Sequence, residues 1–325
     1  MSKPQTIDEL MHHLKYENGI DIDGDEQKDQ LICYGYYHGY KGYRFFNKPK
    51  CKIPYTNFDE VIAVIEYDNN LKSALYPAVM FLETAIKNIV CNTSVIGLED
   101  NTFDAVYKER MKDNPSDSKL RFNRLQLRNA VYSRISHEYK NEKNKENQMV
   151  RHFYNRGEDV PIWGVFEIIF LSDLASYFSC LDFEFREKVL REMNILDASI
   201  DTNRQLISNI LYTLKPLRNA VAHNNIVFDA RFKDRNINAV VKKWAEKESG
   251  IKNISLYSLI DYIIIICCLL NRFDFNMKRA KHVFQTYKDQ NKILEQSVSS
   301  EIYNMLIPPN VVEKLKGVSP LLKRP

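Results

Sequence analysis

At 325 residues the chain can make one large domain or two ordinary ones, and its 44% hydrophobic, 27% charged and 12% aromatic content excludes wholesale disorder and a collagen-like repeat. Its 10 glycines and 11 prolines fall below the averages of about 7% and 5%, which leaves few residues for tight turns and favours helices over strands. Lys plus Arg (46) against Asp plus Glu (42) gives a formal charge of +4, a bias that permits a nucleic-acid partner without requiring one.

Six cysteines at 33, 51, 91, 180, 267 and 268 show no CxxC spacing, and the pair Cys267-Cys268 sits in an apolar run where thiols behave as small core residues. A reducing compartment is expected. The start, MSKPQTIDELMHH, has no apolar stretch behind a basic one, so no signal peptide is expected. The longest greasy segment, Tyr262 to Leu270, is nine residues, about half of what a spanning helix needs. A cytoplasmic protein with no membrane partner is the resulting expectation.

In chain order, Thr6 followed by Glu9 makes a capping box for a helix bearing Ile7, Leu10, Met11 and Leu14, stopped by Asn18-Gly19. A tyrosine-rich segment, Gln30 to Tyr40, leads into a basic loop around Lys48-Pro49-Lys50. From Phe58 to Cys91 apolar residues recur at helical spacing, with Pro77 expected to kink the helix or mark a junction. Asn114 to Asn155 is the most polar stretch; it carries Arg121, Arg124 and Arg128 at helical spacing and then a charged turn from Lys140 to Asn147. Pro161-Ile162-Trp163 opens a helix through Phe166, Phe170, Leu174 and Phe178. Helical patterns follow over Phe183–Met193, Asn203–Leu214, Asn236–Glu248 and a long run from Ser255 towards Lys288. Asn291 to Ile307 reads as one more helix before Pro308-Pro309 and a tail. Nothing alternates as a strand would, so the expected fold is all-α.

One stretch carries chemistry: Leu217-Arg218-Asn219-Ala220-Val221-Ala222-His223. Pro216 is expected to break the preceding helix and start the next, because a missing N–H costs little in a first turn. Asn219 and His223, four apart, share a helix face, so the amide can orient the imidazole. Arg218 is five before His223, about 140° around an ideal helix. The two converge through the helix start or through a second copy of the motif. These groups suit metal-free RNA cleavage, in which an imidazole moves a proton to or from the 2′- or 5′-oxygen and a guanidinium neutralises the phosphorane. Two protonatable groups serve such chemistry better than one, so a symmetric homodimer belongs to the hypothesis. A capping and hydrogen-bonding cluster would use the same residue types.

Arg218-Asn219-x3-His223 resembles the R-x4–6-H motif of the HEPN ribonuclease superfamily. Three further stretches resemble the Abi-like (AbiD/AbiF) abortive-infection branch: Leu31 to Tyr40, Tyr67-Asp68-Asn69-Asn70-Leu71-Lys72 with Leu82-Glu83, and Pro161-Ile162-Trp163 with Glu167. In order and spacing they cover roughly residues 6 to 230. The family often continues "AHHxR", whereas this chain reads Ala222-His223-Asn224-Asn225-Ile226; it also has Lys72 where arginine is common and Leu171 where glycine is common. The resemblance implies a HEPN-type helical bundle with an N-terminal helical lobe and additional C-terminal helices, divided as 1–50, 51–290 and 291–325. It implies an endoribonuclease of phage defence or of a toxin–antitoxin system, with Arg218, Asn219 and His223 catalytic and a small structured non-coding RNA restraining it.

The echo Leu127-Arg128-Asn129-Ala130-Val131 places Ser133 where His223 stands. Arg121, Arg124 and Arg128 offer a stripe for RNA phosphates or a solvated helix face, and Arg272, Lys278, Arg279 and Lys281 offer a second basic patch with the same two readings. The tyrosines at 34, 36, 37, 40 and 43 fit base stacking or, for at least half of them, packing of a helical lobe. The remaining histidines show no metal-ligand spacing, so neither metal nor other cofactor is expected. The alternative to an enzyme is a non-catalytic HEPN-fold protein holding a small RNA in a stable ribonucleoprotein, and a third reading is a protein-interaction dimer without RNA.

Overall fold

The computed structural model describes residues 6–141, 148–233, 236–273 and 277–322. Residues 142–147 of the expected charged turn and the last three of the tail lie outside them. Regular structure among the described residues is helical: fifteen α-helices and two π-helical turns, with only isolated β-bridges besides. The all-α expectation is met.

The chain divides into two compact units, one of residues 1–79, 216–236 and 245–325, the other of 80–215 and 237–244. In the first, Thr6 and Glu9 form the expected capping box on Ile7–His12, and Gly24–Tyr34 leads into a π-helical turn, Gly35–Lys41. Gly35 joins them at φ 77°, a left-handed conformation that favours glycine. Tyr36, Tyr40 and Tyr43 are buried, which answers the tyrosine question for these three in favour of packing, whereas Tyr37 is exposed beneath the Lys41 ammonium. The centre of this unit is Leu259–Phe273, in which every side chain from Leu259 to Leu270 is buried. Lys278–Ser297 and Pro309–Leu321 pack on it.

Here the sequence reading needs three corrections. The run from Ser255 to Lys288 is two helices, with Met277 held at φ 52°, outside any right-handed helix. The second of them, Lys278–Ser297, continues unbroken through position 290, so no separate helix begins at Asn291; Val298 is extended, and Ser299 caps a short helix, Ser300–Leu306. The expected tail is a helix, Pro309–Leu321, because proline at a first helical position sacrifices no hydrogen bond. It is held by Lys314, whose buried ammonium lies 2.5 Å from the buried Asp261 carboxylate.

Phe58–Val95 runs for 38 residues straight through Pro77, and the boundary between the units falls just after it, between Val79 and Met80. By length and composition this helix could cross a membrane, yet it carries the ion pairs Asp68–Lys72 (3.1 Å) and Glu83–Lys87 (3.1 Å), which suit a helix enclosed in protein. Leu206–Ala222 likewise runs through Pro216, with the unit boundary between Lys215 and Pro216. The expected break there does not occur: the proline only withholds one donor from the helix ladder, and the turns around it persist.

In the second unit, Ser118–Lys140 packs on Met149–Tyr154, Ile162–Ile168 and Leu171–Cys180. The single helix expected from Pro161 to Phe178 is divided at Ile169-Phe170, both extended, where Asp173 Oδ2 accepts the Phe170 N–H (3.2 Å) and begins the second helix. The buried Asp201 carboxylate accepts the N–H groups of Gln205 (2.9 Å) and Leu206 (2.7 Å) and so starts Leu206–Ala222.

Candidate functional site

Arg218 and Asn219 lie in the last turns of Leu206–Ala222 and His223 directly follows it; all three belong to the first unit. Leu217, Ala220 and Val221 are buried, which fixes that face of the helix, while Arg218 and Asn219 are half-buried and His223 is exposed. Arg218 Nη1 contacts the Asn219 amide oxygen at 3.4 Å. The link between Asn219 and His223 is the backbone bond from His223 N–H to Asn219 O (3.0 Å), rather than the contact between side chains that their spacing suggested.

The helix ends immediately before the histidine. Asn224 adopts φ 54°, the left-handed conformation that closes helices, and the Asn225 N–H returns to Ala220 O at 2.8 Å. The Asn224 amide oxygen then receives the Lys72 ammonium at 2.6 Å. Lys72 is buried and is gripped on its other side by Asp68, one turn earlier on the same helix.

Asp68 is wholly buried and accepts four donors: the Lys72 ammonium (3.1 Å), the Tyr43 hydroxyl (2.7 Å) and the backbone N–H groups of Val227 (2.8 Å) and Phe228 (2.7 Å). One carboxylate thus ties the tyrosine-rich lobe and the long helix to the segment that follows the motif. The Asp68 charge and burial together push the Tyr43 hydroxyl far above its ordinary pKa, with burial the larger cause. Asp229, also buried, repeats the arrangement, accepting the Asn47 N–H (2.7 Å) and the Arg231 guanidinium (2.8 Å), which donates onward to Gly42 O (2.6 Å). The turn bearing His223 is therefore exposed at its tip and anchored beneath by two buried acids.

The basic residues separate into two kinds. Arg124 is buried: it donates to the carbonyls of Lys112 (2.6 Å) and Tyr107 (3.0 Å) and pairs with Asp113 (3.2 Å), which takes it out of any surface stripe. Arg272 is half-buried on Glu248 (2.5 Å). Arg121 and Arg128 are exposed, Arg128 at 3.5 Å from Asp104, and so are Lys278, Arg279 and Lys281 in the first turn of their helix. Among the described residues no group of three His, Cys, Asp or Glu side chains could hold a metal ion.

Sequence reasoning gave no role to Asp68, Asp229 and Arg231. For Asp68 the signal was present: an acid and a lysine four apart, directly beside the apolar positions Tyr67 and Leu71, are costly to bury unless they have partners. For Asp229 and Arg231 there was little, since the groups they tie down, the Asn47 N–H and the Gly42 carbonyl, are main-chain groups far away in sequence.

The chain is all-α, and it carries Arg218, Asn219 and His223 at an anchored helix end. The family model described as "Abi-like protein" matches residues 29–229, and the chain belongs to that family. The matched span contains Tyr43, Asp68, Lys72, the motif and Asn224 to Phe228. No match was found among curated proteins or among solved structures.

Proposed function

We propose that the chain is a metal-independent endoribonuclease of the HEPN type, acting in phage defence by abortive infection or as a toxin, and cutting RNA to 2′,3′-cyclic phosphate and 5′-hydroxyl ends. Membership of the Abi-like family suggests the abortive-infection role. The observation that carries the chemistry is the placement of His223: an exposed imidazole on a turn held from below by Lys72 and Asp68, with the Arg218 guanidinium five residues earlier in the chain.

In this reading His223 moves the proton, Arg218 neutralises the phosphorane and Asn219 steadies the Arg218 guanidinium. Because the helix runs unbroken through Pro216, Arg218 and His223 of one chain stay about 140° apart around it. A homodimer brings the arginine of one copy beside the histidine of the other. Exposed Arg121, Arg128, Lys278, Arg279 and Lys281 contact the RNA backbone, and a small structured non-coding RNA restrains the enzyme in the cytoplasm until it is needed.

One observation favours a second reading. The residue after His223 is Asn224, engaged by Lys72, so each chain contributes a single imidazole at this turn. A HEPN-fold binding protein would use Arg218 and His223 only to hold phosphates in a stable ribonucleoprotein.

The test is to purify wild type and His223→Ala side by side, sequence the RNA that copurifies, and map cleavage ends in cells expressing each. Cuts with cyclic-phosphate ends in the wild type alone are expected. Bound RNA without histidine-dependent cuts supports the binding protein, and the absence of both RNA and cuts overturns both readings.

A further inference from the structure

We propose that Asn224 is a phosphate-binding residue of this site, a neutral N–H donor whose orientation is imposed by Lys72. The inference rests on the reading of this turn as an RNA site and adds a group to it that the motif does not contain.

An ammonium has donors and no acceptor, so the end of the Asn224 amide that meets Lys72 at 2.6 Å is its oxygen. The lysine cannot swing away, because it is buried and bound to Asp68 at 3.1 Å. Turning the amide over would place its two N–H donors against a buried cation. The Asn224 Nδ2 group consequently faces away from Lys72, and no protein acceptor takes it among the described residues. Asn224 is exposed and is the next residue after His223.

An amide N–H held in this way donates to an anionic oxygen but cannot exchange protons with it, so it binds a phosphodiester and does not act as acid or base. Lys72 and Asn224 are matched: the cation supplies the orientation and the amide supplies the contact.

The experiment uses the full chain as wild type, Asn224→Asp, Asn224→Gly and His223→Ala. Each is assayed for cleavage of a fluorescein-labelled single-stranded RNA of mixed sequence and for binding to its uncleavable 2′-O-methyl counterpart by fluorescence anisotropy. Asn224→Asp keeps an oxygen facing Lys72 and so keeps the fold, but it turns an anionic oxygen toward the phosphate; affinity is expected to fall about tenfold or more. Asn224→Gly suits the left-handed backbone but removes both the donor and the oxygen that Lys72 binds, so a smaller loss of affinity is expected, together with a lowered unfolding temperature.

Wild-type affinity in both variants overturns the proposal, whatever the cleavage result. Weakened binding in the Asn224 variants of a protein that never cleaves sustains the proposal while sinking the ribonuclease reading. A wild-type protein with no affinity for the RNA analogue overturns both.

Discussion

Asp68 and Phe228 stand 160 positions apart in the chain, and the Asp68 carboxylate accepts the Phe228 backbone N–H at 2.7 Å. The same carboxylate holds Val227, Tyr43 and Lys72, so its loss would leave a buried ammonium without its counter-charge and two buried amides without their acceptor. Asp68→Ala is expected to cost about 3–5 kcal/mol of stability, read from urea unfolding. Asp68→Asn, which keeps one acceptor oxygen, should lose less. Equal stability of wild type and Asp68→Ala would mean that this network does not anchor the turn.

The C-terminal helix depends on a second buried acid. Asp261 accepts Lys314 (2.5 Å) together with the N–H groups of Ser255 (3.1 Å) and Leu256 (2.9 Å). Lys314→Met preserves the side chain's length but leaves Asp261 with its neutral donors only, and a loss of about 1–3 kcal/mol is expected by urea unfolding. Proteolysis confined to Pro309–Leu321 at low urea would accompany it, because that helix loses its buried polar tie.

How much of this was legible beforehand follows from where each signal sits. The motif helix, the capping box at Thr6 and the apolar helix around Cys267-Cys268 were readable because periodicity and caps are local. Two of the proline sites misled, in opposite directions: Pro216 lies inside a continuous helix, and Pro308-Pro309 starts one where a tail was expected, because a proline in a first turn sacrifices no helical hydrogen bond. The fate of Arg124 could not be read either: its partners are carbonyls at 107 and 112, and main-chain acceptors leave no trace in a pattern of side chains.

Thiol chemistry offers an independent check of the core. All six cysteines are free; Cys33 and Cys51 are exposed, and Cys91 is half-buried. Burial pushes the Cys91 and Cys180 thiols up to about 11 and Cys267 up to about 12, which removes the reactive thiolate at neutral pH. Titration of the native protein with a chromogenic disulfide should therefore show two fast thiols, with Cys180, Cys267 and Cys268 reacting only in denaturant. Rapid reaction of all six would contradict the packing of Leu259–Phe273.

At high pH the lobe has a titratable tie to the long helix. The Tyr34 hydroxyl donates to the Glu66 carboxylate, and that bond, reinforced by burial, raises the tyrosine from 10.0 to about 12. A group whose folded pKa is raised contributes stability that is whole below the unfolded value and is lost as the pH climbs toward the folded one. Wild type should lose this contribution between pH 10 and about 12, and Glu66→Gln should show a shallower loss across that window. Parallel stability curves for the two proteins over that range would rule out the coupling.

The unit that carries His223 is completed by residues 245–325, which are made after the motif itself. Residues 1–79 can gather early, and the anchors Asp68 and Lys72 are made long before the turn they hold, but the central helix Leu259–Phe273 and the helices packed on it are made afterwards. Domains fold as units during synthesis, and this one is incomplete when its histidine emerges. A nascent chain therefore presents its histidine on an unfinished scaffold. For a protein proposed to cut RNA, the order of manufacture itself delays competence beyond the moment at which the motif is made.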